Sequence, residues 1–266
     1  MKEQFKHSPL VELIAEVHWE TGISPQQPIM PSEPAQQHEE FFKSLTDEIA
    51  TAGYVTSERL VPNGFPFPAK IPILRFRRPP IGNSSEEKAK QLATLFQVGA
   101  GLFTINAIQP YSCWDDFKEV IRVGLNALLK VQPCMRESGF FVTIRYVNAF
   151  GESLVGNQNL RQFMSENLGI KVSLPQFMNE APASGDSTIP VMQIHTPLEF
   201  GSYGINFGEG KVNNHSALVM ENVVAMQKEI NADVEQMISE MTIARDLIHK
   251  SFVEMTKPLH KLMELM

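Results

Sequence analysis

Cysteine is nearly missing from this 266-residue chain, with two in all, Cys113 and Cys134. They stand far apart and form no Cys-x-x-Cys pair, so neither a zinc knuckle nor a disulfide framework is signalled. Two reduced thiols in a cytoplasmic protein are the expectation. Long apolar runs are missing too. No stretch approaches the ~18 uncharged residues of a membrane span, which argues against membrane insertion. The opening MKEQFKHSP lacks the apolar segment of a secretory leader. Basic residues are in deficit: Lys and Arg total 23 against 30 Asp and Glu, a formal charge of -7. That balance argues against a nucleic-acid partner, because the densest basic cluster is only Arg75, Arg77 and Arg78.

The familiar catalytic spacings are absent as well. "GSYGINFGEGK" ends in Gly210-Lys211, yet Ile205 stands where a phosphate loop needs glycine and Val212 where it needs a hydroxyl. The seven histidines are scattered, with no His-Glu-x-x-His and no His-x-His. No Gly-x-Ser-x-Gly elbow occurs. Cys113 stands near a helix start, but Trp114 beside it points to packing and no partner base is evident. Catalytic residues, metal ligands and a cofactor are therefore all assigned as none.

What is present is a set of well-formed elements. "SPLVELIAEVHWE" alternates along a strand from Val11 onward, with Val11, Leu13, Ala15, Val17 and Trp19 on one side and Glu12, Ile14, Glu16, His18 and Glu20 on the other. "AQQHEEFFKSLTDEIATAGY" reads as a helix with Phe41, Phe42, Leu45 and Ile49 in its stripe and Gly53 at its end. "ILRFRRPP" is a short strand and "IGNSSEEKAKQ" a polar loop. Residues 93–111 read as a strand pair or one bent strand, with Gly99 and Gly101 at the bend. "SCWDDFKEVIRVGLNALLKV" is a helix, opened by a box between Ser112 and Asp115. "GFFVTIRYVNAF" is a strongly β-prone strand. Beyond 150 come a short helix in "NLRQFMSENLGI", a loop in "NEAPASGDSTIP", and strands in "IPVMQIHT", "SYGINFG" and "HSALVMENVV", the last two joined by a turn marked by Gly208, Gly210, Asn213 and Asn214. The chain closes on a long helix capped by Asp233 and broken near Pro258.

The expected fold is therefore α+β: two sheet-and-helix units, 1–150 and 151–266, with largely antiparallel sheets closed by the C-terminal helix. Seven of the 13 methionines fall at or after Met220. Methionine is common at adaptable interfaces. Met237, Met241, Ile248, Phe252 and Met255 are thus candidates for a surface that joins a second copy of the chain or another protein.

Glu12, Glu16, His18, Arg145 and Asn148 are the candidate binding residues. Side chains two apart on a strand are ~6.5–7 Å apart, which puts Glu12 and Glu16 ~13 Å from each other. That is too far for a simple acid–base pair. The leading reading is an ion pair with Arg145 across the sheet; a ligand-binding face and a catalytic one are the other two.

Three segments together resemble a sporadically distributed bacterial family of proteins of about this length. Its opening Pro-Leu-x-Glu-x-x-x-Glu-Val plus aromatic is matched by Pro9, Leu10, Glu12, Glu16, Val17 and Trp19. A Gln-x-Gly…Asn…Pro-Tyr-x-x-Trp-x-x-Phe stretch is matched by Gln97, Gly99, Asn106, Pro110, Tyr111, Trp114 and Phe117, and an Arg-Tyr-x-Asn strand by Arg145, Tyr146 and Asn148. Trp19 stands where Phe is more usual. The resemblance implies no reaction. Its sporadic distribution implies an accessory role of the anti-phage or toxin–immunity kind. The expectation is a non-enzymatic interaction or sensor protein, the alternative an enzyme acting on a small molecule or nucleotide at the Glu12, Glu16, His18 and Arg145 face.

Overall fold

The computed structural model describes residues 5–21, 33–62, 70–80, 84–111, 113–132, 139–173, 175–176, 191–212 and 214–264. Nine strands form one sheet: β1 (Leu10–Trp19), β2 (Thr56–Arg59), β3 (Leu74–Arg77), β4 (Thr94–Gly99), β5 (Leu102–Ile108), β6 (Phe140–Phe150), β7 (Met192–Leu198), β8 (Gly201–Val212) and β9 (His215–Met226). Their order is β2-β3-β4-β5-β1-β6-β9-β8-β7, and every neighbouring pair is antiparallel. The fold is thus α+β, as expected. The strands foreseen in two sheets lie in one, because β6 of the first part pairs with β9 of the second from Thr143–Ala225 to Phe150–Leu218.

The helices are α1 (Glu33–Thr51), α2 (Ser85–Leu92), α3 (Trp114–Val131), α4 (Glu152–Val155), α5 (Leu160–Asn167), α6 (Val234–Met255) and α7 (His260–Met263). The apolar side of β1 meets the stripes of α1, α3 and α6. Leu13, Ala15 and Val17 pack with Phe42, Leu45, Phe117, Ile121, Leu125, Met241 and Ala244 in one buried cluster. Alternation carries the same face into β6 as Val142, Ile144, Tyr146, Asn148 and Phe150 and into β9 as Leu218, Met220, Asn222 and Val224. A second cluster, around Phe150, Phe163, Met164, Phe207 and Met220, continues this layer towards Phe252 and Met263. Gly124 lets α3 lie close on the sheet: a Cβ there would stand 2.9 Å from Phe96 and 3.1 Å from Ile105.

Several expectations need correction. Residues 84–92 of the expected polar loop form α2, because Ser84 and Glu87 cap each other reciprocally; residues 81–83 lie outside the described residues. β2 was not foreseen: four residues of an edge strand carry too short a pattern to read. At 93–111 the strand pair holds rather than the single bent strand: β4 and β5 form a hairpin, with Gly101 at φ +76. α3 begins after Cys113, which makes no side-chain cap; Ser112 of the expected box lies outside the described residues, as do Cys134, Asn213 and the 179–190 loop. Gly208 and Gly210 are within β8 rather than its turn, which falls at Asn214 with φ +66. The last helix is broken as expected: α6 ends at Met255, and Lys257–Leu259 form a short 3-10 turn before α7.

The stripe proposed as an interface is core. Met237, Met241 and Ile248 have no exposed surface and Phe252 only 9%. They face the chain's own sheet and so offer nothing to a partner; Met255 is half-buried against the second cluster.

Candidate functional site

The sheet separates the five candidate binding residues by the parity of their strands. Glu12, Glu16 and His18 of β1 and Arg145 of β6 point away from the main cluster, whereas Asn148, three residues beyond Arg145, points to the helix side.

On the first of these faces the polar groups answer one another. Arg145 Nε lies 2.8 Å from Glu16 Oε1, and Arg145 Nη1 donates to Glu221 Oε1 at 2.8 Å. The other oxygen of Glu16 contacts His18 Nε2 at 2.9 Å, and the other oxygen of Glu221 accepts from Asn206 Nδ2 at 2.7 Å. Glu12 accepts from Asn106 Nδ2 at 2.8 Å, and Asn106 Oδ1 accepts from Thr104 at 2.7 Å. Burial disfavours the Arg145 cation, but Glu16 and Glu221 outweigh it and hold the guanidinium above its ordinary range. Glu16 is buried, so these partners are what make a carboxylate tolerable there. Glu221 was not foreseen: its partnership depends on β9 lying beside β6, which no local pattern reveals.

The helix side holds a cavity of about 1430 Å³ at the end of the sheet where β1 begins and β5 and β6 finish. Residues 5–9, the start of α3 and the middle of α6 complete its wall. Alternation in Arg145-Tyr146-Val147-Asn148 sends the arginine to one face and the tyrosine and asparagine into this wall. Pro110, Tyr111 and Trp114 arrive from the turn into α3, and Pro9, Leu10 and Glu12 from the start of β1. The three segments singled out in the sequence therefore meet here. Glu12 and Asn148 line the cavity; Glu16, His18 and Arg145 do not.

Arg245 was missed. It follows Ala244 on the α6 stripe and is buried to 9% exposure, with its guanidinium carbon 5.9 Å from the Trp114 ring centre. The legible signal is a cation four residues after Met241 and three before Ile248, inside an otherwise apolar stripe. Its Nη1 donates to Asp246 at 3.0 Å. Burial and the Tyr146 and Asp246 oxygens pull its ionisation in opposite directions, and the net shift is upward, so it stays charged. Burial pushes the hydroxyls of Tyr111 and Tyr146 up, so both stay protonated. Arg245 Nε, Trp114 Nε1 and Asn148 Nδ2 are buried without a hydrogen-bond partner, and the Tyr146 hydroxyl, though beside Arg245, makes no well-aligned bond.

Among the described residues, no group of three or more His, Cys, Asp or Glu is placed to hold a metal, and no helix is long and apolar enough to cross a membrane. No family model, curated protein or solved structure matches the chain.

Proposed function

We propose that this protein works by binding a small organic molecule in the cavity at the end of the sheet, as a sensor or carrier rather than an enzyme. The observation that carries this reading is the cavity itself: about 1430 Å³ walled by apolar groups and a few buried polar ones. Ligand sites have this composition, with a mostly apolar wall and a few polar groups that fix orientation. We read the chain as two units, 1–150 and 151–266, fused through β6 and β9 and closed by α6. The site draws on both, taking Tyr111, Trp114 and Asn148 from the first and Arg245 and Phe252 from the second. A sensor needs such a seam, because a ligand that touches both units can shift one against the other.

The enzyme reading at the Glu12, Glu16, His18 and Arg145 face is weaker. There Arg145 and His18 occupy both oxygens of Glu16.

A thermal-shift screen of small metabolites against the wild type and Leu154→Trp tests the proposal. Leu154 is a half-buried residue of the wall, and an indole at this position takes up part of the cavity. Compounds that raise the melting temperature of the wild type and lose that effect in Leu154→Trp support it. Absence of any such compound, or shifts equal in both proteins, overturns it.

A further inference from the structure

Building on the cavity as a ligand site, we infer that its ligand is an organic monoanion: a carboxylate carried on an apolar body, with the head at Arg245, Trp114 and Asn148.

The sign of the unsatisfied groups decides the class. Arg245 Nε–H, the Trp114 indole N–H and the Asn148 amide N–H are all donors, on residues 9%, 6% and 2% exposed that line the same cavity. A buried donor left unpaired costs free energy, and three on one wall are matched by a ligand that brings acceptors. Tyr111 and Tyr146, held protonated by burial, add two further hydroxyls able to donate. Two nearby carboxylates are already engaged: Glu12 Oε1 takes the amide of Asn106, and Asp246 takes Nη1 of Arg245.

Charge narrows the class. Arg245 is the buried cation of this wall, and its carboxylate partner Asp246 stands half in water, with 45% of its side chain exposed. Lys6 and His7 also line the cavity but sit at its mouth, largely exposed and paired with Glu264. One buried guanidinium suits one negative charge. A cationic ligand would face that guanidinium in a low dielectric. A phosphate dianion would bring a second charge that no second buried Arg or Lys of the wall answers. Carboxylate fits the guanidinium fork, and the Trp114 ring lies beside it, 5.9 Å from the guanidinium carbon. The body must be apolar because Phe5, Leu10, Ile108, Leu154 and Phe252 form the rest of the wall.

Calorimetric titration with decanoate, decanol and decylammonium, each below its aggregation limit, separates head from tail. Decanoate is expected to bind roughly tenfold or more tighter than decanol, as a charge-assisted hydrogen bond implies. In Arg245→Met its affinity falls to that of decanol, while decanol itself is unchanged. Trp114→Phe keeps the ring and removes one donor, so it weakens decanoate several-fold even if Arg245→Met fails to fold. Decanoate and decanol binding alike, or decylammonium binding best, overturns the anion and leaves the cavity as a ligand site. If none of the three binds but Leu154→Trp still abolishes hits in the metabolite screen, this inference alone falls. If that screen is also empty, both fall.

Discussion

The two faces of the central strands handle polar side chains in opposite ways. Around Arg145, each buried charge is matched inside the chain, Glu16 by Arg145 and His18, and Glu221 by Arg145 and Asn206. Around Arg245, only a few residues away through the sheet, three buried donors lack acceptors. Both arginines are held charged against the cost of burial, Arg145 by Glu16 and Glu221, and Arg245 by the Tyr146 oxygen and Asp246. The first network pairs every charge, although Arg145 Nε meets Glu16 as an ion contact rather than an aligned hydrogen bond; the second leaves three donors without a partner on residues that line a cavity. A count of charged residues would not separate them. Counting which donors and acceptors remain unspent does.

The largest effect expected from breaking this contrast is on stability at the paired face. Arg145→Met leaves buried Glu16 with His18 alone and Glu221 with Asn206 alone. A loss of about 1–3 kcal/mol is expected, discounted because a third of the Arg145 side chain meets water. Urea denaturation measures it. Adding Glu16→Gln to Arg145→Met should restore part of that loss, because the uncompensated charge goes with it.

The matching change on the cavity side should do much less. Arg245→Met and Asn148→Leu each replace a group whose donors are partly unspent, so stability should change by less than about 1 kcal/mol in either direction. A loss above about 2 kcal/mol in either would mean that the chain itself satisfies these groups, and the contrast would collapse.

The smallest expected effect concerns the mouth. Residues 6 and 7 pair their backbone with Glu264 and Met263, and the Glu264 carboxylate meets Lys6 Nζ at 2.9 Å. The hydrogen bond from Lys6 outweighs the slight opposing effect of burial and holds Glu264 below the usual carboxylate range. A depressed carboxylate contributes above its unfolded pKa and loses that contribution as pH falls through the lower folded one. Hydrogen exchange of the Lys6 and His7 amides should therefore quicken, relative to a Glu264→Gln control, only as the solution is acidified below the ordinary carboxylate range. No difference between the two proteins there would show that the side-chain pair does not hold the mouth.

Local pattern made much of this legible. The alternation of β1, the stripes of α1 and α3 and the break at Pro258 follow from spacing and backbone chemistry. Arg145 could be expected opposite Glu16 because both lie on β-prone segments with opposite charges. The limits are equally physical. Asn148 shares a motif with Arg145 but stands on the other face, since three residues along a strand reverse the side. Arg245 sits in a helix whose stripe reads as plain core, and its meaning depends on Trp114 being packed opposite. The Met237, Met241, Ile248 and Phe252 stripe shows the same limit in reverse: an apolar face names no partner, and here the partner is the chain's own sheet. α2 was readable, since Ser84 and Glu87 have capping-box spacing, but its polar composition suggested a loop.

The position of β1 has a consequence for how the chain is made. β1 lies in the middle of the sheet and precedes both of its neighbours in the chain, with Leu13 opposite Ala107 of β5 on one side and Tyr146 of β6 on the other. It cannot acquire both neighbours until synthesis has reached β6, Phe140–Phe150. Until β5 follows, Leu13, Val17 and Trp19 are exposed on an unpaired strand with two open edges. Such long-range pairing slows folding and leaves nascent chains prone to association. The alternating carboxylates of Glu12, Glu16 and Glu20 then have a second use: three negative charges on the waiting strand discourage two nascent copies from pairing with each other.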